Sequence, residues 1–129
     1  MLKNKNIILI AEDEEDLMEI YTISFAREEV EILQARNGMQ ALEILEKNSQ
    51  KIDLLILDIM MPKLNGFEVL EKIRQNEQFR DLSIIMSTNL DDEDDKKQAF
   101  QLGAKAYFVK ALRTPSELVA QVRMLLMQN

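Results

Sequence analysis

Apolar residues gather into five short runs, at 7–11, 30–35, 54–57, 83–87 and 106–109. Most are unbroken rather than alternating, as parallel strands covered on both faces tend to be. The segments between them carry helical period. Leu17, Ile20, Tyr21 and Ser24 line the first; Ala41, Leu42 and Leu45 the second; Phe67, Leu70 and Ile73 the third; and Leu118, Val119, Val122, Leu125 and Leu126 the last. The fourth, near 92–102, has the weakest stripe. Thr114-Pro115-Ser116-Glu117 combines a capping hydroxyl, proline at the first helical position and glutamate at the third, which predicts the start of the last helix. Asn65-Gly66-Phe67-Glu68 and Asn37-Gly38-Met39-Gln40 repeat that signal more weakly. Strand and helix alternate five times, which implies an α/β sandwich with a parallel sheet and right-handed crossovers.

The polar residues that follow the strands change this from a fold into a site. Glu12 and Asp13 come after the first strand and Asp58 after the third; the fourth ends at Ser87-Thr88 and the fifth at Lys110. In an open α/β sheet these positions share one edge, where ligands bind beyond the carboxyl ends of the strands. The second strand, ending in Ala35-Arg36-Asn37, is expected to contribute nothing. Three clustered carboxylates raise one another's pKa unless positive charge intervenes. A hard divalent cation fits an oxygen-only cluster, and Lys110 adds an ammonium. Asp58 is then expected to stay ionised, and an ionised carboxylate is a nucleophile.

Composition narrows the reading. The 129 residues suit one core, 16 basic residues against 23 acidic ones give a formal charge of -7, and no basic cluster is long enough to track a phosphate backbone. Nucleic-acid binding is not expected. No cysteine is present, so disulfides and thiolate metal sites are excluded, and no histidine is present, so histidine chemistry must come from a partner. The amino-terminal apolar run is too short for a signal-peptide core or a membrane span, so neither membrane association nor export is expected and the cytoplasm is the expected compartment. The acidic run at 91–95 reads as a helix start with a solvated face.

The chain resembles the receiver domain of two-component response regulators over about residues 6–127. The likeness rests on Ile7-Ile8-Leu9-Ile10-Ala11-Glu12-Asp13, on Leu57-Asp58-Ile59-Met60-Met61-Pro62 followed by Asn65-Gly66, on Ile84-Ile85-Met86-Ser87-Thr88, and on Leu102-Gly103-Ala104 leading to Tyr107-Phe108-Val109-Lys110. It implies a flavodoxin-like (βα)5 three-layer sandwich with a five-stranded parallel sheet in the order 2-1-3-4-5, an order carried over from the family. It also implies a single receiver domain across residues 1–129 with no effector domain, resembling a single-domain chemotaxis regulator.

By the same resemblance Asp58 is the phosphoacceptor, taking a phosphoryl group from a sensor histidine kinase or a histidine phosphotransfer protein. Glu12, Asp13, Asp58 and the main-chain carbonyl of Met60 would hold Mg2+. Thr88 and Lys110 would bind phosphoryl oxygens, and Tyr107 would change rotamer with Thr88. The signal would leave through the fourth helix, fifth strand and fifth helix to a downstream protein target, from a monomer or weak homodimer. Such a chain catalyses its own phosphorylation and dephosphorylation and acts as a switch. The alternative is a non-phosphorylated pseudo-receiver serving as a docking or dimerisation module.

Three positions depart from the family pattern. Ala111 stands where proline usually follows the lysine through a cis bond. A non-proline cis bond costs about 3–4 kcal/mol, so a trans Lys110–Ala111 bond and a reshaped loop over 111–114 are expected. Asn89 replaces a small residue and is expected to stiffen the Thr88 switch. Met60 and Leu90 offer no polar group to orient a hydrolytic water, which predicts a long-lived phosphoaspartate.

Overall fold

A computed structural model describes residues 5–48 and 51–128. Strands β1 (Asn6–Ala11), β2 (Val30–Ala35), β3 (Leu54–Asp58), β4 (Ser83–Thr88) and β5 (Ala106–Val109) form one parallel sheet in the order β2-β1-β3-β4-β5. Helices α1 (Glu15–Ser24), α2 (Gly38–Lys47), α3 (Gly66–Arg74), α4 (Glu93–Gln101) and α5 (Pro115–Met127) alternate with them, and one 3-10 turn spans Glu77–Phe79. This is the flavodoxin-like arrangement expected from the resemblance. No described helix is long and apolar enough to cross a membrane.

The sheet separates two cores, and the two-residue period of each strand decides which side chain goes where. Ile7, Leu9, Leu55, Leu57, Ile84 and Met86 pack with Ala41, Leu45, Val69, Leu70 and Ile73 of α2 and α3. Ile8, Ile10, Leu54, Ile56, Ile85 and Phe108 pack with Met18 and Tyr21 of α1 and with Leu118, Val119 and Val122 of α5. All of β3 and β4 is buried, as unbroken apolar runs require, whereas the edge strand β2 leaves Glu31 and Gln34 in solvent.

Capping follows the predicted residues. Thr114 with Glu117, and Asn65 with Glu68, each form a complete capping box, while Asn37 accepts from the Gln40 N–H. The inner stripe of α1 differs from expectation. Met18, Tyr21 and Phe25 are buried while Ile20 is 46 % exposed. Both stripes contain Tyr21; turning the helix by about one position buries Phe25 and Met18 in place of Ile20 and Ser24, which removes more apolar surface from water.

Periodicity does not single out Arg74, at the last position of α3. Its guanidinium donates to the carbonyls of Leu102 (2.9 Å), Gly103 (3.0 Å), Phe79 (3.3 Å), Arg80 (3.3 Å) and Leu82 (3.4 Å). One planar fork thus joins α3, the 3-10 turn, the approach to β4 and the exit from α4. Arg74→Met keeps the aliphatic stem and removes every donor. It is expected to lower stability by about 2–3 kcal/mol in urea titration, the scale of hydrogen bonds to a charged group; an unchanged midpoint would show these contacts to be incidental.

Candidate functional site

The backbone ladder runs slightly past the strand ends, and the polar residues sit on that extension. Glu12 N–H donates to the Ala35 carbonyl (3.0 Å), Ile59 N–H to Ser87 (2.9 Å) and Lys110 N–H to Thr88 (2.7 Å). Residues 12, 58 and 110 are therefore held by the sheet rather than by free loops. Behind Asp58 the chain turns tightly: Gly66 N–H donates to the Ile59 carbonyl at 2.8 Å, and a Cβ on Gly66 would lie 2.5 Å from the Asp58 carbonyl oxygen. Glycine is needed there because the helix start approaches the backbone of Asp58 itself.

Glu12, Asp13 and Asp58 come together, each offering a carboxylate oxygen within 4.8 Å of the others; Glu12 and Asp58 are buried and Asp13 is exposed. Lys110 reaches the same point from β5, its side chain 4 % exposed, with Nζ 2.6 Å from Glu12 Oε1 and 3.2 Å from Asp58 Oδ2. The Met60 N–H donates to Asp58 Oδ1 (3.2 Å), and the Glu14 N–H to Glu12 Oε2 (3.1 Å). Glu12 thus also ties down the entry to α1, whose N-cap residue Glu14 makes no side-chain cap.

The electrostatics show what Lys110 contributes without a cation. Burial pushes the Asp58 carboxyl up to about 7; the Lys110 charge and hydrogen bond oppose this, and the Glu12 charge reinforces it. Lys110 does not hold Asp58 ionised unaided, because its single charge is shared and its shorter contact goes to Glu12. Burial lowers the Lys110 pKa, but the Glu12 hydrogen bond and the two acids more than reverse that, leaving it raised. Three carboxylates share one ammonium, so the cluster keeps an excess of negative charge.

That excess, with oxygen as the only donor type, suits a hard cation. Oxygens this close fall within one coordination shell, about 4–5 Å across for metal–oxygen distances near 2.0–2.6 Å. Glu12, Asp13 and Asp58 therefore fit a divalent ion.

Thr88 and Tyr107 stand apart from the acids. Thr88 is 2 % exposed, and its Oγ1 accepts from the Leu90 N–H (3.2 Å). Among the described residues no hydrogen bond joins the Thr88 hydroxyl to Asp58 or Lys110. The Tyr107 hydroxyl donates to the Leu90 carbonyl (3.1 Å), and Lys96 Nζ lies 5.7 Å from the centre of its ring. Lys96 is itself paired with Asp91 (3.2 Å) and Glu93 (3.4 Å). The acidic start of α4 thus reaches Tyr107 through Lys96. Asn89 is exposed. No described peptide bond is cis, so Lys110–Ala111 is trans, as expected for alanine.

Two features have no counterpart in the sequence reading. Arg36, the residue after β2, reaches Gln34 Oε1 (3.1 Å) and approaches Glu15 of α1 (3.9 Å), contacts that lie outside the acidic cluster. Tyr21 belongs to the apolar stripe of α1, yet its phenol lies close enough to the site that, after burial, the charges of Lys110, Glu12 and Asp58 all act on its pKa, which is raised. A cleft of about 360 Å3 lined by Leu45, Ile52, Phe79 and Leu82 lies at the other end of the strands, so concavity alone would point away from the acids.

Comparison with known proteins agrees with this geometry. The family model described as response regulator receiver domain matches residues 8–123. A probable transcriptional regulator of Cyanidium caldarium, ycf27, is 38 % identical over 96 % of this chain and 47 % of its own length. The chain spans about half the length of the curated relatives it matches. The crystal structure of a putative response regulator from Chloroflexus aurantiacus J-10-fl superposes with a TM-score of 0.86 at 29 % identity, covering 95 % of this chain and 98 % of that one. The Mn2+-bound form of the response regulator Rcp1 superposes with a TM-score of 0.78 at 25 % identity, covering 94 % and 89 %. With the model matched across both cores and through every strand end that carries an acid, a hydroxyl or the lysine, the chain belongs to the response regulator receiver family.

Proposed function

We propose that this receiver accepts a phosphoryl group on Asp58 from a phosphohistidine of a sensor kinase or phosphotransfer protein, with Mg2+ at Glu12, Asp13 and Asp58. The observation that carries the reading is the convergence of three carboxylates, two of them buried, and the Lys110 ammonium at one point. Bound there, a divalent cation would neutralise charge on the acids and on the transferring group. The chain's own part is positioning. β3 and the Gly66 turn fix Asp58, Lys110 is aimed at the carboxylate, and the Met60 N–H orients Oδ1. A transition state of this kind needs placement and charge neutralisation more than covalent help. Mn2+ in the related Rcp1 structure supports a divalent ion in this family, and the main-chain carbonyl of Met60 is a further candidate ligand.

Thr88 and Tyr107 are the proposed switch pair. They are already linked through Leu90, whose N–H meets Thr88 and whose carbonyl meets Tyr107, so drawing Thr88 toward a phosphoryl group would disturb both contacts. The output surface would be the face of α4, β5 and α5, offered to a downstream protein.

The test is incubation with acetyl phosphate with and without Mg2+, read by intact mass. A gain of one phosphoryl group that disappears with EDTA is the expected result. A chain serving only for docking or dimerisation would gain nothing.

Met60 and Leu90 bear on how long the group stays. They are 68 % and 60 % exposed and present apolar side chains two residues beyond Asp58 and Thr88. Met60→Asn supplies an amide able to hold a water, and loss of phosphate is expected to speed up roughly tenfold, the value of one well-placed hydrogen bond. Unchanged or slower decay of the phosphorylated mass would remove this explanation.

A further inference from the structure

Ser87 has no part in the function proposed above, and its surroundings are unusual. It is 1 % exposed, and its Oγ is the one buried side-chain oxygen among the described residues without a hydrogen-bond partner. An orphaned hydroxyl weakens the core that holds it, so its presence needs a physical reason. Ser87 pairs in register with Asp58 on one side and with Phe108 on the other. Residues in register on parallel strands lie about 4.8 Å apart and face the same way. Ile85, Ile56 and Phe108 all belong to the core under α1 and α5, so the two-residue period turns both Ser87 and Asp58 toward that side. Lys110, two residues beyond Phe108, shares the face, and its Nζ reaches back across this row to Asp58 and Glu12. The hydroxyl therefore sits in the row between Asp58 and the ring of Phe108, on the side from which the ammonium arrives.

An ammonium carries three donors, and here two are aimed at Glu12 and Asp58. Glu12 takes the shorter contact, yet Glu12 is also a candidate cation ligand. With its oxygens drawn to a cation, Lys110 would lose its shorter partner and need another acceptor in the same buried place. We infer that Ser87 is a positioning residue for the chemistry at Asp58: its hydroxyl accepts from the Lys110 ammonium when Glu12 is engaged by a divalent cation, and so keeps Lys110 against Asp58. This rests on the reading of Asp58 as the phosphoryl acceptor.

The experiment compares the full chain with Ser87→Ala, which deletes the hydroxyl, and Ser87→Thr, which restores it. Three quantities are read: Mg2+ affinity by calorimetry without any phosphodonor, the rate of phosphoryl incorporation across acetyl phosphate concentrations at saturating Mg2+, and the thermal midpoint. Ser87→Ala is expected to lower the maximal rate about tenfold. The acetyl phosphate concentration at half-maximal rate should not change. Mg2+ binding should weaken about threefold, because Lys110 then competes harder for Glu12. The thermal midpoint should hold or rise, since an unsatisfied group has been removed, and Ser87→Thr should recover rate and affinity. A parental rate in Ser87→Ala overturns the inference, as does a lost rate that Ser87→Thr leaves unrestored. If the parent gains no phosphoryl group at all, the reading of Asp58 fails instead, and parental Mg2+ affinity in Ser87→Ala would then reject the Ser87–Lys110 link by itself.

Discussion

Asp58→Asn is expected to gain no phosphoryl group from acetyl phosphate and Mg2+ under conditions in which the parent gains one. The substitution is close to isosteric and keeps one acceptor oxygen, enough for the Met60 N–H contact while the Lys110 contact at Oδ2 is lost, so the fold should survive without the proposed nucleophile. Phosphorylation of the Asp58→Asn protein, seen by intact mass, would move the acceptor elsewhere and remove the centre of the functional reading. The same variant should change how stability depends on pH. Burial raises the Asp58 pKa from 3.8 to about 7, so between those values the folded protein holds a proton that the unfolded chain releases. Metal-free stability should therefore fall as pH rises from about 4 to about 7. Asparagine does not titrate, and Asp58→Asn should flatten that slope in urea titrations repeated across the window.

The second large effect belongs to Lys110. Lys110→Met preserves length and apolar bulk but leaves Glu12 and Asp58 buried without their counter-charge. Removing one partner of a buried ionic group destabilises by about 3–5 kcal/mol, and a loss of that order is expected in metal-free urea titration at neutral pH. Lys110 opposes the raised Asp58 pKa of about 7, so its loss moves that pKa higher, and the deficit should grow as pH climbs above about 7 and level off below it, where Asp58 is protonated. In the parent the Lys110 pKa is raised above 10.5 by its acid partners, so its stabilisation is fully present below that value and is lost as pH climbs through the raised one. A Lys110→Met protein with parental stability at pH 7 would show that the cluster does not depend on the ammonium.

Much of this was legible in the chain because the relevant signals are local. Strands covered on both faces announce themselves as unbroken apolar runs, and all five appear within a residue of their predicted limits. The capping boxes at Asn65 and Thr114 are set by residues three apart, which no tertiary contact has to arrange. The convergence of Glu12, Asp13, Asp58 and Lys110 follows from topology, since parallel strands deliver their final residues to one edge. What was hidden depends on facing surfaces. Either stripe of α1 satisfies helical period, and the choice between Ile20 and Phe25 is made by the core opposite. Arg74 looks like an ordinary basic helix end until the turn after α4 folds over it. Ser87 reads as a strand residue beside a more conspicuous threonine, and its lack of a partner exists only once β3, β4 and β5 are side by side. Asp58's raised pKa likewise comes first from burial, with Lys110 opposing and Glu12 reinforcing it, and burial at a strand end is not encoded in sequence spacing.

The way α4 is attached has a mechanical consequence. Ala99 is its one buried residue, and the carbonyls directly behind it, at Leu102 and Gly103, are pinned by Arg74. The opposite end lies beside the Leu90 contacts and begins with three acidic residues, Glu93 and Asp94 exposed and Asp95 half-buried. A helix pinned behind by a five-carbonyl clasp and held in front only through exposed pairs and the Lys96–Tyr107 contact is the easier to displace at the end near Thr88. In the switch proposed above, α4 would act as a lever whose fulcrum is the guanidinium of Arg74.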